Sequence, residues 1–387
     1  MPEMHLHIIA FDIPWPANYG GVIDVFYKIR ALNRAGVKIH LHCFVYHRLP
    51  APDLEAYCEE IHYYRRKTGL FSALGMKPYI VFSRRSGELL KNLTRDRYPI
   101  LFEGLHSCYY LAARELKDRV KIYRESNIEH HYYYHLSIAE KNLFRKLYFR
   151  LSSLKLKSFQ KNLEHASLML AVSKGDTEYL SRKFPGKQVE YLPSFHHDEE
   201  VNILPGKGDF ALYQGNLSIP ENIRAAEYLI HHVFSFSHHK LVVAGLNPAG
   251  TLERLARQYP NVEIISSPSD EEMFRLIRTA QVNIMVTFQP TGLKLKLLNA
   301  LFNGRFCLVN PEMVMGTELE GLCEVGSHAN DLIRLVDDCM RREFSEEMIR
   351  LRKDTLMNWH SNEANCKRLL DFVYLLVPSV PEESVHL

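Results

Sequence analysis

The chain has 387 residues, of which 46% are hydrophobic and 24% are charged, and its formal net charge is +3. This length exceeds that of one ordinary hydrophobic core, so we expect two domains. The apolar content excludes an intrinsically disordered chain. Because the net charge is small, no overall field attracts nucleic acid, and we expect no nucleic-acid partner.

The sequence lacks the signals of secretion and of membrane spanning. Its first residues, MPEMHLHIIAF, do not combine a basic segment, a long apolar run and a small-residue cleavage site. No stretch reaches the roughly 18–20 apolar residues that a membrane span needs. The seven cysteines form no C-x-x-C pair, so we expect reduced thiols rather than a disulfide framework or a zinc site. The sequence therefore predicts a cytoplasmic protein.

The first half of the chain alternates strand and helix signals. Residues 5–11 form a short apolar run, apolar side chains recur at helical spacing over 22–32, and apolar and polar residues alternate over 37–43. Further signals predict strands at 100–102, 120–123, 168–172 and 189–192, and one helix or two in sequence at 138–165. This order is typical of the start of a parallel α/β sheet.

Residues 202–209 have the composition of a linker, and the alternation starts again after them. The signals of this half predict strands at 210–213, 241–244, 262–265, 282–286 and 306–309, and helices at 220–232, 252–258, 270–280 and from about 292. Two such alternations predict two doubly wound, Rossmann-like α/β domains. Because ligands of open parallel sheets bind beyond the carboxyl ends of the strands, we expect the site in a central cleft that the domains face.

A glycine pair, Gly20-Gly21, follows the first predicted strand and opens the first predicted helix. Glycine lets backbone N–H groups approach an anion closely, and a helix amino terminus adds partial positive charge. The pair lacks the full G-x-G-x-x-G spacing of a dinucleotide site. Phosphate binding and a simple tight turn therefore both remain open.

A second glycine, Gly292, opens a helix after the strand at 282–286, and Lys294 and Lys296 lie in the first turn. Lysine is unfavourable at a helix amino terminus unless a negative group lies there too. A bound diphosphate would supply that charge. The alternative is two solvated lysines on an amphipathic helix.

The segment PTGLKLKLLNALFNGRFCLVN resembles the glycine–Lys–(Leu/Ile)–Glu-Ala…Gly–Lys-Pro-Val-Val segment of the large family of retaining glycosyltransferases with the GT-B fold. The Gly20-Gly21 turn is similar to the amino-terminal glycine loop of that family. LFEGLHSCYYLAARELKDRVKIYRESNIEHHYYYHL and AVSKGDTEYL resemble its acceptor-side segments, and ALYQGNLSIPENIRAAEYLI resembles the start of its donor domain. The resemblance covers nearly the whole chain, in the same order.

The resemblance implies a set of donor-binding residues. In that family the donor diphosphate lies on the two glycine loops and on a basic residue of the second domain. The corresponding residues of this chain, with the neighbouring lysine, are Gly20, Gly21, Gly292, Lys294 and Lys296.

Two glutamates separated by seven residues usually hold the sugar and ribose hydroxyls in that family. Thr291 and Asn299 occupy their positions here. Both side chains can still form hydrogen bonds with hydroxyls.

The acceptor-side residues depart from the family pattern as well. An Arg/Asp-x-His-Asn-x-Glu pattern often ends the acceptor-side strand, whereas this chain has Ser126 in place of the histidine and keeps Asn127 and Glu129. Glu129 or the adjacent His130 is a candidate for reaching the cleft. In retaining transferases of this type the leaving phosphate is thought to assist deprotonation of the acceptor, so a dedicated base is not required.

The resemblance implies a GT-B glycosyltransferase with three segments: an acceptor domain at 1–203, a nucleotide-sugar domain at 207–345, and helices at 346–387 that cross back to the first domain. Such an enzyme would move a hexose-type sugar, with retention, from a nucleotide sugar to a saccharide or lipid-linked acceptor in glycan or polysaccharide biosynthesis. It would need no metal and no further cofactor.

Two alternatives belong to other classes of protein. Thr291, Asn299 and Ser126, which replace two carboxylates and a histidine, also fit a non-catalytic glycosyltransferase-like protein that binds a nucleotide sugar or a partner enzyme. A sugar-nucleotide epimerase has no specific support in the sequence.

Two other features have a structural and a functional interpretation. Histidines invite metal sites, especially His40 and His42 on one strand face and adjacent pairs such as His130 and His131. Adjacent side chains point apart, so a pair does not make a site, and we expect solvated or capping histidines. The segment 141–161 interleaves basic and apolar residues. It fits either a buried helix flank with solvated lysines or a peripheral contact with the inner face of the membrane.

Overall fold

The computed structural model describes residues 3–69, 75–140, 142–288 and 294–377. The chain divides into two compact units. The described parts of Met1–Phe195 and Asn362–Leu387 form the first unit, and those of His196–Pro290 and Lys294–Ser361 form the second.

The first unit is built on a seven-stranded sheet in the order β3-β2-β1-β4-β5-β6-β7, in which neighbouring strands run parallel. Its strands are β1 (His5–Ile9), β2 (Lys38–Val45), β3 (Glu60–Arg65), β4 (Ile100–Glu103), β5 (Lys121–Glu125), β6 (Leu168–Ala171) and β7 (Gln188–Tyr191). The central strands are buried on both faces, which fits their nearly continuous apolar sequences.

The helices of the first unit are α1 (Gly20–Arg34), α2 (Tyr79–Phe82), α3 (Gly87–Leu93), α4 (Glu129–Ala139), α5 (Leu143–Phe159), α6 (Lys174–Lys183) and, from the end of the chain, α14 (Asn362–Leu376). Helix α14 packs against α1: Cys366, Leu369 and Val373 lie in the same apolar cluster as Val25 and Ile29. The end of the chain therefore belongs to the first unit, as expected for a helix that crosses back.

The second unit has a six-stranded parallel sheet in the order β10-β9-β8-β11-β12-β13. Its strands are β8 (Phe210–Gln214), β9 (Lys240–Gly245), β10 (Val262–Ser266), β11 (Val282–Met285), β12 (Phe306–Val309) and β13 (Glu324–Val325). Its helices are α7 (Pro220–His232), α8 (Gly250–Ala256), α9 (Asp270–Thr279), α10 (Leu295–Asn303), α11 (Pro311–Val314), α12 (Ala329–Arg341) and α13 (Glu346–Trp359). The two units are thus parallel α/β sheets with flanking helices, as the sequence predicted.

The units divide at Phe195 and Ser361, whereas the sequence prediction placed the divisions at 203–207 and 345. Hydrogen bonds between distant parts of the chain explain the difference. Asn202 donates its N–H to the carbonyl of Phe302 at 2.8 Å, which joins the predicted linker to the second unit. Arg352 of α13 donates to the carbonyl of Gly304 at 2.8 Å. These long-range bonds leave no signature in composition.

Among the described residues, no helix is both long enough and apolar enough to cross a lipid bilayer. The predicted long helix at 138–165 is α5, followed by a 3-10 turn at Gln160–His165.

Histidines from three adjacent strands line one face of the first sheet: His5 and His7 of β1, His40 and His42 of β2, and His62 of β3. His7 Nδ1 lies 2.9 Å from His42 Nε2, and His7 Nε2 lies 3.0 Å from the Asp96 carboxylate. Both ring nitrogens of His7 therefore have a polar partner. His40 and His42 are buried, so the expectation of solvated histidines was wrong for this pair. The register of the two parallel strands brings these histidines together, because it places His7 of β1 beside His40 of β2.

Burial lowers the pKa of His7 to about 4, although Asp96 acts in the opposite direction. In the unfolded chain the pKa of histidine is about 6.5, so the unfolded chain takes up this proton first. The contribution of neutral His7 to the unfolding free energy is complete above a pH of about 6.5 and is lost as the pH falls towards about 4. We expect wild type to lose about 3 kcal/mol more unfolding free energy than His7→Asn over this interval.

Urea denaturation at several pH values measures this difference. His238→Asn, at an exposed histidine, is the matched control and should follow wild type. Identical pH dependence in His7→Asn and wild type would contradict the assignment.

Candidate active site

In the first unit, the loops that follow β1, β4 and β5 meet at the carboxyl edge of the sheet. Gly104 follows β4 with a φ of +68°, a conformation that favours glycine. A Cβ built there would lie 3.3 Å from His106 Nδ1 and 3.9 Å from both Phe11 Cδ1 and Ser126 Oγ. Side chains from three different strand ends therefore surround this glycine.

The glycine pair has a packing role that the sequence did not reveal. Helix α1 begins at Gly20, and a Cβ on Gly21 would lie 2.6 Å from Phe11 Cζ. A side chain at Gly21 would therefore force the Phe11 ring to move. The residue before the helix, Tyr19, provides no side-chain cap to the first N–H groups, and its hydroxyl donates to Asp12 at 2.9 Å.

A cavity of about 460 Å³ adjoins this loop. Its lining includes Trp15, Asn18, His47, Arg48 and Asp53, which follow β1 and β2. Arg48 Nη1 donates to Asn18 Oδ1 at 2.9 Å, so the guanidinium is fixed at the cavity wall. The cavity has both charges and an indole on its wall, a combination suited to a polar ligand.

His106 and Glu129 form an imidazole–carboxyl pair at this edge. His106 Nδ1 lies 3.7 Å from Glu129 Oε1 and is a buried nitrogen without a hydrogen-bond partner among the described residues. Burial raises the pKa of Glu129 to about 8, with Arg84 acting in the opposite direction. Burial, assisted by Arg84, lowers the pKa of His106 well below its usual range. At pH 7 the pair therefore combines a neutral imidazole with a mostly protonated carboxyl group.

The sequence-predicted acceptor-side residues separate into two groups. Ser126 and Glu129 lie with His106, and the backbone N–H of Asn127 donates to Glu125 Oε1 at 3.0 Å. The carbonyl of His130, by contrast, accepts a hydrogen bond from Ser153 of α5, and its ring packs against Tyr179 of α6. Burial lowers the pKa of His130 to about 3. The structure thus gives His130 packing contacts.

His106 is a residue that the sequence reasoning missed. Its segment, LFEGLH, is part of the resemblance, but the resemblance pointed to the position of Ser126 and to His130 for an imidazole. A cue existed, because β4 and β5 were both predicted and parallel strands end at the same edge of a sheet. The structure places His106 of the β4 loop near Ser126 of the β5 loop.

A buried ionic network lies beside this edge and consists of Asp24, Lys28, Glu103 and Arg124. Lys28 Nζ donates to Asp24 Oδ2 at 2.9 Å and to Glu103 Oε1 at 2.7 Å, and Arg124 Nη2 lies 3.4 Å from Asp24 Oδ1. Burial alone would raise the pKa of Asp24, but Lys28 and Arg124 outweigh it and lower that pKa. The network joins α1 to β4 and β5, the elements from which the site loops leave.

In the second unit, Lys296 lies in the first turn of α10. Its Nζ is 3.5 Å from Asn222 Oδ1, at the start of α7, and 5.6 Å from the centre of the Tyr213 ring. Neither neighbour carries a countercharge. Burial lowers the pKa of Lys296, and the Glu221 carboxylate opposes this effect. The same carboxylate accepts a 2.6 Å hydrogen bond from Thr287.

Two glycines shape the same strand ends. Gly215 follows β8, and a Cβ there would lie 3.2 Å from Asn222 Cγ. Gly245 ends β9, where a Cβ would overlap the carbonyl oxygen of Gly215. A side chain is therefore excluded at Gly245, and one at Gly215 would require Asn222 to shift by a few tenths of an ångström.

The remaining donor-side predictions have different outcomes. Thr291 and Gly292 lie outside the described residues. Lys294 immediately precedes α10, which begins at Leu295 rather than near 292. Asn299 Oδ1 accepts a 2.9 Å hydrogen bond from Asn303 Nδ2, which also donates to Asp198. The side-chain oxygen of Asn299 is therefore used within the second unit, a contact that the sequence did not predict.

One group of three potential metal ligands occurs among the described residues. A ligand atom from each of His238, His239 and Asp337 lies within 4.8 Å of the others. His239 Nε2 is 2.8 Å from Asp337 Oδ1. An imidazole–carboxylate hydrogen bond accounts for this arrangement, and the absence of a metal requirement remains a prediction.

No protein-family model matches the chain. An uncharacterized 44.6 kDa protein in the cps region of Klebsiella pneumoniae is 25% identical over 321 residues, which cover 77% of this chain and 81% of that protein.

Solved glycosyltransferase structures share the fold over nearly the whole chain. A glycosyltransferase from Rickettsia africae has a TM-score of 0.64 at 11% identity, and the match covers 98% of this chain and 100% of the Rickettsia chain. HepE of Anabaena, in complex with UDP and glucose, has a TM-score of 0.64 at 10% identity, covering 96% and 100% of the two chains. A trehalose 6-phosphate synthase from Burkholderia multivorans has a TM-score of 0.61 at 10% identity, covering 97% and 99%. The chain has the GT-B fold.

Proposed function

We propose that the protein is a glycosyltransferase that moves a hexose-type sugar from a nucleoside-diphosphate sugar to a saccharide or lipid-linked acceptor. The observation that carries this proposal is Lys296. It is a buried ammonium group in the first turn of a helix, beside an amide and an aromatic face, and the Glu221 carboxylate acts on it only by opposing the effect of burial on its pKa. A cation and a helix amino terminus together favour a diphosphate.

In the proposed reaction, the bond between the sugar C1 atom and the diphosphate oxygen breaks, and the acceptor oxygen bonds to C1. Lys296 and the amino terminus of α10 stabilise the negative charge that develops on the leaving diphosphate. They supply this charge without a metal, so we propose that none is required. We also propose that the sugar configuration is retained, with the leaving phosphate taking the proton of the acceptor hydroxyl.

The first unit would hold the acceptor. The neutral imidazole of His106 can accept a hydrogen bond from the acceptor hydroxyl, and the protonated carboxyl of Glu129 can donate one to a neighbouring oxygen. Ser126 adds a hydroxyl at the same edge. This imidazole favours an enzyme over a non-catalytic binding protein, although the histidine expected at Ser126 is missing. We propose cytoplasmic glycan or polysaccharide biosynthesis as its role.

A thermal-shift screen against nucleoside diphosphates and their sugars tests the donor site. A ligand that binds only the folded protein at 100 times its Kd stabilises it by about 2.7 kcal/mol. We expect at least one nucleoside diphosphate to raise the Tm, and the matching monophosphate, which lacks the phosphate nearest the sugar, to raise it less. No shift with any of these ligands at millimolar concentration would contradict the proposal.

A further inference from the structure

Helix α5 carries a row of exposed apolar side chains. Phe144, Leu147, Leu151 and Leu154 are spaced by three, four and three residues, so they lie on one side of the helix. Their exposed fractions range from 50% to 88%. Contiguous apolar surface of this kind is rare on soluble proteins and marks an interaction site. We call these four residues the apolar stripe.

The opposite side of α5 fixes the helix to the first unit. Ser153, Leu156 and Phe159 are buried, and the last two belong to an apolar core cluster. Ser153 Oγ donates to the carbonyl of His130 in α4 at 2.7 Å. Because these residues are about half a helical turn from the apolar stripe, the stripe faces away from the core.

Basic side chains border the stripe. Leu143–Phe159 contains five lysines and arginines and no acidic residue. Lys146, Arg150 and Lys157 follow at intervals of four and seven residues, which places them along one edge of the stripe. Lys155 lies on the other side and donates to the carbonyl of Gly75 at 2.8 Å.

We propose that α5 docks on an anionic lipid bilayer, with the apolar stripe in the headgroup–acyl boundary and the flanking cations on lipid phosphates. An apolar face bordered by basic residues is the composition that binds such surfaces. A protein partner would have to be acidic around its own apolar groove, whereas an anionic bilayer provides both properties at once. Charge complementarity therefore favours the bilayer.

Docking would also bring the candidate site close to the lipid. Helix α4 begins at Glu129 and packs against α5. A lipid-linked acceptor could then reach the His106–Glu129 pair from the membrane. This step rests on the proposed glycosyltransferase function, whereas the docking itself does not.

Cosedimentation of the full chain with vesicles tests the docking. We expect binding to vesicles of equal parts phosphatidylglycerol and phosphatidylcholine, and much weaker binding to phosphatidylcholine alone. Phe144→Ser with Leu147→Ser should lower the partition coefficient at least tenfold, because each side chain loses its apolar contact. Since both residues are exposed, the double variant should keep the Tm of wild type.

A charge variant separates the two contributions. A triple variant, with Lys146→Gln, Arg150→Gln and Lys157→Gln, should bind anionic vesicles about 100-fold more weakly, since each cation contributes roughly fivefold. The binding of this variant should also depend less on salt concentration than that of wild type. Phe236→Ser with Leu351→Ser, at exposed apolar positions of the second unit, is the matched control. It should bind as wild type does.

Three outcomes would overturn the proposal. They are no binding of wild type to anionic vesicles, equal binding to neutral and anionic vesicles, or unchanged binding of the Phe144→Ser, Leu147→Ser variant. Sedimentation showing a dimer that this variant dissociates, without vesicle binding, would assign the stripe to self-association. Nucleoside-diphosphate affinity, measured without vesicles, reports on the proposed function separately.

Discussion

Lys296→Ala is expected to lower the affinity for a nucleoside diphosphate by about 5- to 150-fold, because it removes a charge-assisted contact of about 1–3 kcal/mol. The effect on sugar transfer should be larger, about 10²–10³ in kcat. The reason is that charge accumulates on the leaving diphosphate in the transition state. Tyr213 and Asn222 cannot replace the lost cation, since neither is charged. Calorimetry and initial rates measure the two effects.

Lys240→Ala is the matched control for this substitution. Lys240 lies on β9 of the same unit, at its amino end, and pairs with Glu263 at 2.7 Å on the surface. Its removal should change neither affinity nor rate by more than about twofold. If Lys296→Ala bound nucleoside diphosphate as tightly as wild type, Lys296 would not belong to the donor site.

Lys28→Met is expected to lower the unfolding free energy by about 3–5 kcal/mol, because it leaves buried carboxylates without their shared cation. Lys28 is fully buried and bridges Asp24 and Glu103 at 2.9 and 2.7 Å. Methionine preserves most of the volume, so the loss reports on charge rather than on a cavity. Urea denaturation at pH 7 measures it.

A compensating variant tests the electrostatic explanation. Lys28→Met leaves Asp24 with Arg124 but deprives Glu103 of its cation, so adding Glu103→Gln should restore part of the lost stability. Lys38→Met, at a surface lysine that pairs with Glu3 and Glu59, should leave the unfolding free energy close to that of wild type. If Lys28→Met were as stable as Lys38→Met, the network would not stabilise the fold.

The fold could be predicted where local patterns suffice. Strong hydrophobic alternation and periodicity identified most of the strands and the helix Pro220–His232, whose bounds agree with the structure. The edge strand Glu60–Arg65 was missed, because half-exposed polar residues obscure the pattern. The divisions between units differ from the predicted ones because hydrogen bonds between distant segments, from Asn202 to Phe302 and from the Arg352 side chain to Gly304, decide them.

The candidate site was predictable only in part, for a related reason. Lys296 could be found because a lysine in the first turn of a helix is locally unfavourable. His106, in contrast, gains its meaning from Ser126 and Glu129, which follow a different strand. The packing of Phe11 on Gly21 likewise depends on a tertiary contact, so the sequence could not separate it from phosphate binding.

Sugar transfer itself is the measurement that tests the proposed activity most directly. The chain is incubated with the nucleotide sugar that raises its Tm most and with saccharide and lipid-phosphate acceptors. Products are detected by mass spectrometry, and their anomeric configuration is determined by NMR. We predict one glycosylated acceptor for each nucleoside diphosphate released, with retained configuration, and loss of product in Lys296→Ala. Tight donor binding without transfer to any acceptor would contradict the enzyme and favour a non-catalytic binding protein.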